Sequence, residues 1–194
     1  MRHIILIFSL LLFAATAIQA QTTWQIGFPN SADVTATLNV NGTLTIIGTG
    51  KMQDFPHNES GTPTSPWYEE RNNIKALEIQ NGVTNIGSNA FVYCKGITSV
   101  TIPNSVKSIG KDAFSVCSGL KSISIPNSVT SIDEWAFFSC GLTSVSIPNS
   151  ITSISKSTFQ GCSNLASVTI PNSVISIGYN AFTLCGLTSI NNSW

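Results

Sequence analysis

The side chains best placed to do chemistry in this 194-residue chain are five cysteines, Cys94, Cys117, Cys140, Cys162 and Cys185, spaced 23, 23, 22 and 23 residues apart. A thiol on such a beat can attack a substrate, ligate a metal or cross-link the chain. Metal binding wants clustered ligands such as Cys-x-x-Cys with histidine, and the sequence has no such cluster. The cysteine count is odd, and each cysteine holds the same slot in a recurring frame, as SIGKDAFSVCSG (108–119) and SIDEWAFFSCG (131–141) illustrate. Equivalent residues of stacked units point in parallel, with Cβ atoms beyond the roughly 3.5–4.5 Å that a bridge needs. An unbridged cysteine behaves as a small hydrophobe, so the five are expected to form a buried ladder. Catalysis is poorly supplied as well. His57 is the one histidine beyond the N-terminal leader, and a Ser or Cys nucleophile needs a base held by a third group. Glu69-Glu70 and Asp133-Glu134 are neighbours in sequence, so their side chains diverge, whereas a glycosidase pair faces one bond at about 5–9.5 Å. No catalytic, cofactor-binding or metal-binding residue is assigned, and the chain is expected not to be an enzyme.

Nine Lys and Arg balance nine Asp and Glu. No basic face is available for phosphates, which argues against a nucleic-acid partner. Residues 1–20 have a short positive start at Arg2 and His3, an uncharged apolar run over 4–17, and small residues leading to Ala20. That layout predicts a secretory signal peptide cleaved after Ala20, with Ala17 as second choice, and no membrane span thereafter.

The elements that must position these residues come from an internal repeat. Five units, 74–96, 97–119, 120–141, 142–164 and 165–186, share the consensus L-x-S-I-x-I-P-N-S-V-x-S-I-G-x-x-A-F-x-x-C, and a partial unit follows at 187–194. In LKSISIP (120–126) the alternation predicts a strand with Leu120, Ile123 and Ile125 inward. Pro126 ends that strand, Asn127-Ser128 supply a turn, and Val129 with Ile132 predict a second short strand. Ala136, Phe137 and Cys140, at i, i+1 and i+4, predict one turn of α- or 3₁₀-helix returning the chain to the next coil. Stacked units would share one core of Leu, Ile, Val and Phe columns. The expected fold is a β-rich α/β solenoid of about five coils. Residues 21–73 show no repeat. Within them VTATLNVNGTLTIIGTG (34–50) predicts a hairpin with a two-residue turn at Asn41-Gly42, and 54–66 reads as loop. This segment is expected to cap the first coil.

The I-P-N-S-V turn at 102–106, 125–129, 147–151 (with Ile151) and 170–174, the S-I-G step and the A-F-x-x-C return closely resemble the BspA-like leucine-rich repeats (LRR) of secreted and surface proteins. The hairpin, GTG and PWY resemble the cap found before such repeats, except that Ala36 stands where those caps carry an aromatic residue. The resemblance implies a curved, right-handed leucine-rich-repeat superhelix with an N-terminal β-hairpin cap. It also implies a bacterial secreted or cell-surface protein that works by binding, as an adhesive module toward host proteins or glycans.

Candidate binding residues are the outward strand positions Ser99, Thr101, Ser122, Ser124, Ser144, Ser146, Ser167 and Thr169. Together they make a broad uncharged surface suited to hydrogen-bonding a glycan or protein strand, or simply a soluble sheet. Trp135 and Tyr179 interrupt the repeat and serve either as stacking platforms or as lateral packing. The uncapped C-terminal end offers another use, as a contact through which the chain would self-associate into a homo-oligomer; a hydrolase ranks lower.

Overall fold

The computed structural model describes residues 21–192; the predicted signal peptide and Trp194 lie outside them. Successive repeats stack as turns of a β-solenoid. The first sheet starts with an antiparallel ribbon, β1 (Thr22–Gln25) on β3 (Val34–Leu38) on β4 (Thr43–Gly48). It continues in parallel through β6 (Ala76–Ile79) and β8 (Ser99–Thr101). The second sheet runs from β2 (Gly27–Phe28) through β5 (Gly50–Met52), β7 (Val83–Ile86), β9 (Ser108–Ile109) and β10 (Ser131–Ile132). Beyond these, β11 (Ser144–Ser146), β13 (Ser167–Ile170) and β15 (Ser189–Asn192) form a fresh parallel sheet, and β12 (Ser153–Ile154) pairs with β14 (Ser176–Ile177).

Between the two sheets lies one continuous core. Its most regular part is a column of rings, Phe91, Phe114, Phe137, Phe159 and Phe182, with consecutive centroids 5.3–5.5 Å apart. The first four are fully buried, each worth about 1.5–3 kcal/mol of apolar transfer. Cys94, Cys117, Cys140 and Cys162 are free and buried beside the rings, and Cys185 is half-buried.

The helical return and the α/β description do not hold: no α-helix occurs among the described residues, and the one 3₁₀ turn, Ser31–Asp33, precedes the repeats. The reason lies in the backbone. Two residues per coil are left-handed, such as Trp135 (φ 55°) and Ser139 (φ 51°), or Asp112 (φ 53°) and Val116 (φ 61°). That conformation breaks a helix and turns alternate N–H groups toward the next coil. Trp135, Phe137 and Ser139 thus donate to the carbonyls of Lys156, Thr158 and Gln160 at 3.2, 2.9 and 2.8 Å. The return is a third hydrogen-bonded wall, with residues i, i+1 and i+4 buried as expected but without a helix.

Three further expectations change. The hairpin turn is not the two-residue type: Asn39 N–H donates to Thr43 O at 3.0 Å around a three-residue loop in which Gly42 is left-handed (φ 84°). The Asn39 side chain accepts from the N–H groups of Asn41 and Thr43, which fixes the wider loop. Second, the spatial period starts before the sequence period. β4 and β5 run parallel to β6 and β7, and Trp67 heads the ring column, stacked on Phe91 at 5.6 Å and 15°. Residues 43–73 therefore trace a coil with loop 54–66 inserted. Third, residues 122–125, the segment that best displays the alternation, form no strand. Both sheets lapse at this coil. In the second sheet the lapse coincides with a change at the S-I-G step. A glycine is not required there in itself, since Asp133 holds that slot with its N–H still donating to the Ile109 carbonyl beside paired β9 and β10. A Cβ on Gly110 or Gly178 would lie 2.7 or 2.6 Å from a backbone nitrogen of the preceding coil, and both glycine N–H groups donate to that coil. Ser155 replaces the glycine between β10 and β12, and its hydroxyl takes the Ile132 carbonyl instead, at 2.6 Å.

Ala36 is also accounted for. It faces Trp24 in the β1–β3 register, and Trp24 packs edge-on against Trp67 at 5.9 Å. The aromatic volume comes from the neighbouring strand.

Candidate binding face

The repeats turn alternate residues of their first-sheet segments away from the core, on strands β8, β11 and β13 and on the irregular segment 122–125. Registers align Ser144 with Ser167 and Ser189, and Ser146 with Thr169 and Asn191. At the other end Ala76 aligns with Ser99, and Glu78 with Thr101. Ser99, Thr101, Ser122, Ser124, Ser144 and Ser146 are exposed, while Ser167 and Thr169 are half-buried. The threonines just before these strands spend their hydroxyls on the fold: Thr98, Thr143 and Thr188 donate to carbonyls of the preceding coil at 3.3, 3.3 and 3.1 Å. The eight outward hydroxyls have no such partner among the described residues and remain open to a ligand. Ser122 and Ser124 sit on the irregular segment, where Ser124 borders a groove of about 510 Å³ with Ser146, Thr169 and a stack of Pro126, Pro148 and Pro171.

Trp135 and Tyr179 are not brought onto this face. Both lie in the return wall, on the two positions before the Ala-Phe pair or its equivalent. Trp135 is half-buried, its ring flanked by the ammonium groups of Lys111 at 4.7 Å and Lys156 at 5.0 Å. Tyr179 is 76% exposed.

The thiols do more than fill space. Cys117, Cys140, Cys162 and Cys185 each donate S–H to the carbonyl of the phenylalanine one coil earlier, Phe91, Phe114, Phe137 and Phe159, at 3.0–3.2 Å. The sequence shows the beat of the cysteines but not this bond, because sulfur direction depends on the left-handed residue before each one. Burial raises the thiol pKa to about 12 at Cys94 and Cys162, and well above the ordinary value at Cys117 and Cys140. Such thiols are poor nucleophiles.

Other chemistry-bearing residues are scattered. His57 sits in loop 54–66, bridged to Pro63. The Asp112 carboxyl is raised, first by burial, against the opposing pull of Lys111. Among the described residues no group of three or more His, Cys, Asp or Glu could hold a metal ion.

A stacked array of this kind defines a repeat protein whose surface is built from a recurring coil. Residues 65–140 and 84–193 match the BspA type leucine rich repeat region, in six copies, and the chain belongs to that family. The match begins at Ser65, within the hidden coil that carries Trp67. No curated protein matches the chain. A leucine-rich repeat protein from Eubacterium ventriosum is similar at 28% identity and a TM-score of 0.78, over 90% of this chain and 44% of that one. A leucine rich cell surface protein from Faecalibacterium prausnitzii is similar at 28% identity and a TM-score of 0.51, over 83% of this chain and 53% of that one. The chain thus spans about half the length of these two structures.

Proposed function

We propose that the protein is a non-enzymatic binding module, exported to a bacterial surface or its surroundings, that engages proteins or glycans through the first-sheet face. The observation that carries this reading is the set of outward Ser and Thr hydroxyls left without partners while neighbouring threonines are consumed by the fold. Hydroxyls in register suit a ligand that offers its own repeating hydrogen-bonding groups, and a face without strong charge selects by shape and hydrogen-bond pattern. The cell-surface description of the F. prausnitzii relative supports the location. The antiparallel ribbon β1–β3–β4 serves as the cap, covering an edge that would otherwise recruit other strands. To test the binding reading, the chain is arrayed against glycans and extracellular-matrix proteins beside a variant carrying Ser144→Lys and Ser146→Lys. Loss of ligand by the variant is expected; equal binding by both removes this face from the reading.

One observation favours a second use. Ile175, Ile177, Tyr179, Leu184 and Ile190, all at the last coil, are 53–86% exposed. A further coil would cover them in a longer chain, and a second copy would do so in a dimer, which concentration-dependent size in sedimentation would reveal.

A further inference from the structure

We propose that the cleft formed by Tyr68, Arg71, Asn72, Tyr93 and Lys95 is a separate binding site for the carboxylated or sulfated sugars of acidic glycans. It rests on the glycan part of the reading above, yet it shares no residue with the Ser/Thr face. The cleft lies where the return wall of the hidden coil meets that of the first repeat, and it has a volume of about 260 Å³. That is just under the range of roughly 300–1,000 Å³ typical of drug-sized ligands and leaves room for one sugar ring.

Its composition departs from the rest of the molecule. All five lining side chains carry hydrogen-bond donors, and the two charged ones, Arg71 and Lys95, are both cationic. Two of the three tyrosines in the chain are here. Glu70, a nearby acid in sequence, is held by Asn73 Nδ2 at 2.7 Å and borders a different groove, beside Leu38 and Lys75. The two charges that line the cleft are therefore both positive, with Glu69 and Glu70 preceding Arg71 in sequence and Asn72 shared with the groove that Glu70 borders.

Arg71 is held ready. Its guanidinium lies 4.0 Å over the Tyr68 ring, and Nη1 donates to the Tyr68 carbonyl at 2.6 Å. A planar fork fixed in this way loses little freedom when it takes a carboxylate or sulfate through two parallel bonds. Tyr93 is 40% exposed and occupies the left-handed slot (φ 61°) that holds Val116, Ser139, Gly161 or Leu184 in other coils. The fold requires no aromatic residue in that slot. Its ring offers an apolar surface to sugar C–H groups, while Asn72 and Lys95 remain for hydroxyls and the second anionic oxygen. Rings beside cations with no lining carboxylate fit an acidic sugar better than a neutral one.

Calorimetric titration with a uronate tetrasaccharide, a sulfated tetrasaccharide and the carboxyl-reduced form of the uronate tests the assignment. Uronate, sulfated sugar or both are expected to bind more weakly as salt rises, with the reduced form at least about tenfold weaker. Arg71→Gln and Lys95→Gln should each weaken acidic-sugar binding by about tenfold, the scale of one lost charge-assisted bond. Lys95 is exposed, so its variant tests the site without threatening the fold, and a thermal melt checks the Arg71 variant. A Ser144→Ala, Ser146→Ala protein, which removes first-sheet hydroxyls without adding charge, should keep acidic-sugar binding at the cleft, and this separates failure of the cleft from failure of the first-sheet face. Equal binding of acidic and reduced sugars overturns the proposal. So does undiminished binding by the Lys95 variant and a folded Arg71 variant, or capture of a phosphotyrosine peptide with neither acidic sugar bound.

Discussion

The return wall and the first sheet are built from the same repeats, yet they hold together differently. In the wall, the residue before the Ala-Phe pair, the phenylalanine and the residue before the cysteine each donate to the next coil, and this continues through coils 120–141 and 142–164 without a gap. The stacked rings and thiol bonds follow the same course. The first sheet lapses at 122–125, between β8 and β11, and the second lapses between β10 and β12. Strand junctions bury inward Leu, Ile and Val side chains as well, but the wall adds stacked rings and S–H donation to each junction. Continuity in this solenoid therefore resides in the wall, and the sheet face can vary locally without breaking the stack.

The largest test of that contrast is a pair of truncations. Phe137→Ala, in the wall, should cost about 3–5 kcal/mol, and Ile123→Ala, half-buried on the lapsed segment, well under half as much, measured by urea unfolding. Equal losses would break the contrast. Alkaline pH gives the next largest effect. The wall thiols have folded-state pKa values above their unfolded value near 9, so the unfolded chain loses these protons first. Stability should be level up to about pH 9 and then fall toward pH 12, and Cys117→Ala with Cys140→Ala should flatten that fall. Hydrogen exchange supplies a finer probe. Amides of residues 122–125 should exchange at least about tenfold faster than Phe114 and Phe137, about 1.4 kcal/mol in opening free energy; comparable protection would mean that the sheet is continuous in solution. The smallest effect concerns the left-handed slots. Val116→Asn should raise stability by about 1 kcal/mol, because Asn tolerates φ 61° better than a β-branched residue, as a shift in the unfolding midpoint would show.

The repeats, the inward columns and the outward Ser and Thr positions were legible because each recurs in register. Periodicity reports which way a side chain faces, and this also sufficed for the burial of the cysteines. It does not report backbone handedness, so i, i+1, i+4 spacing at Ala136, Phe137 and Cys140 was compatible with a helix that the left-handed Trp135 and Ser139 forbid. Trp67 was hidden for a different reason: loop 54–66 displaces it from the beat, and stacking on Phe91 identifies it only in space. Nor could the Tyr68–Arg71–Tyr93–Lys95 cleft be found by pattern, since its members come from neighbouring turns and none recurs.

The thiol bonds have one more consequence. In the wall the backbone N–H groups point up the stack, while each S–H points down it, so a coil's bonds are complete only when it has both a successor and a predecessor of its own kind. Every interior junction offers the same pair of plugs and sockets. A whole 22- or 23-residue coil can therefore be gained or lost by duplication or deletion in the gene without redesigning its neighbours. Length becomes a trait that evolution can adjust in single steps, and with it the reach of the surface that the stack displays.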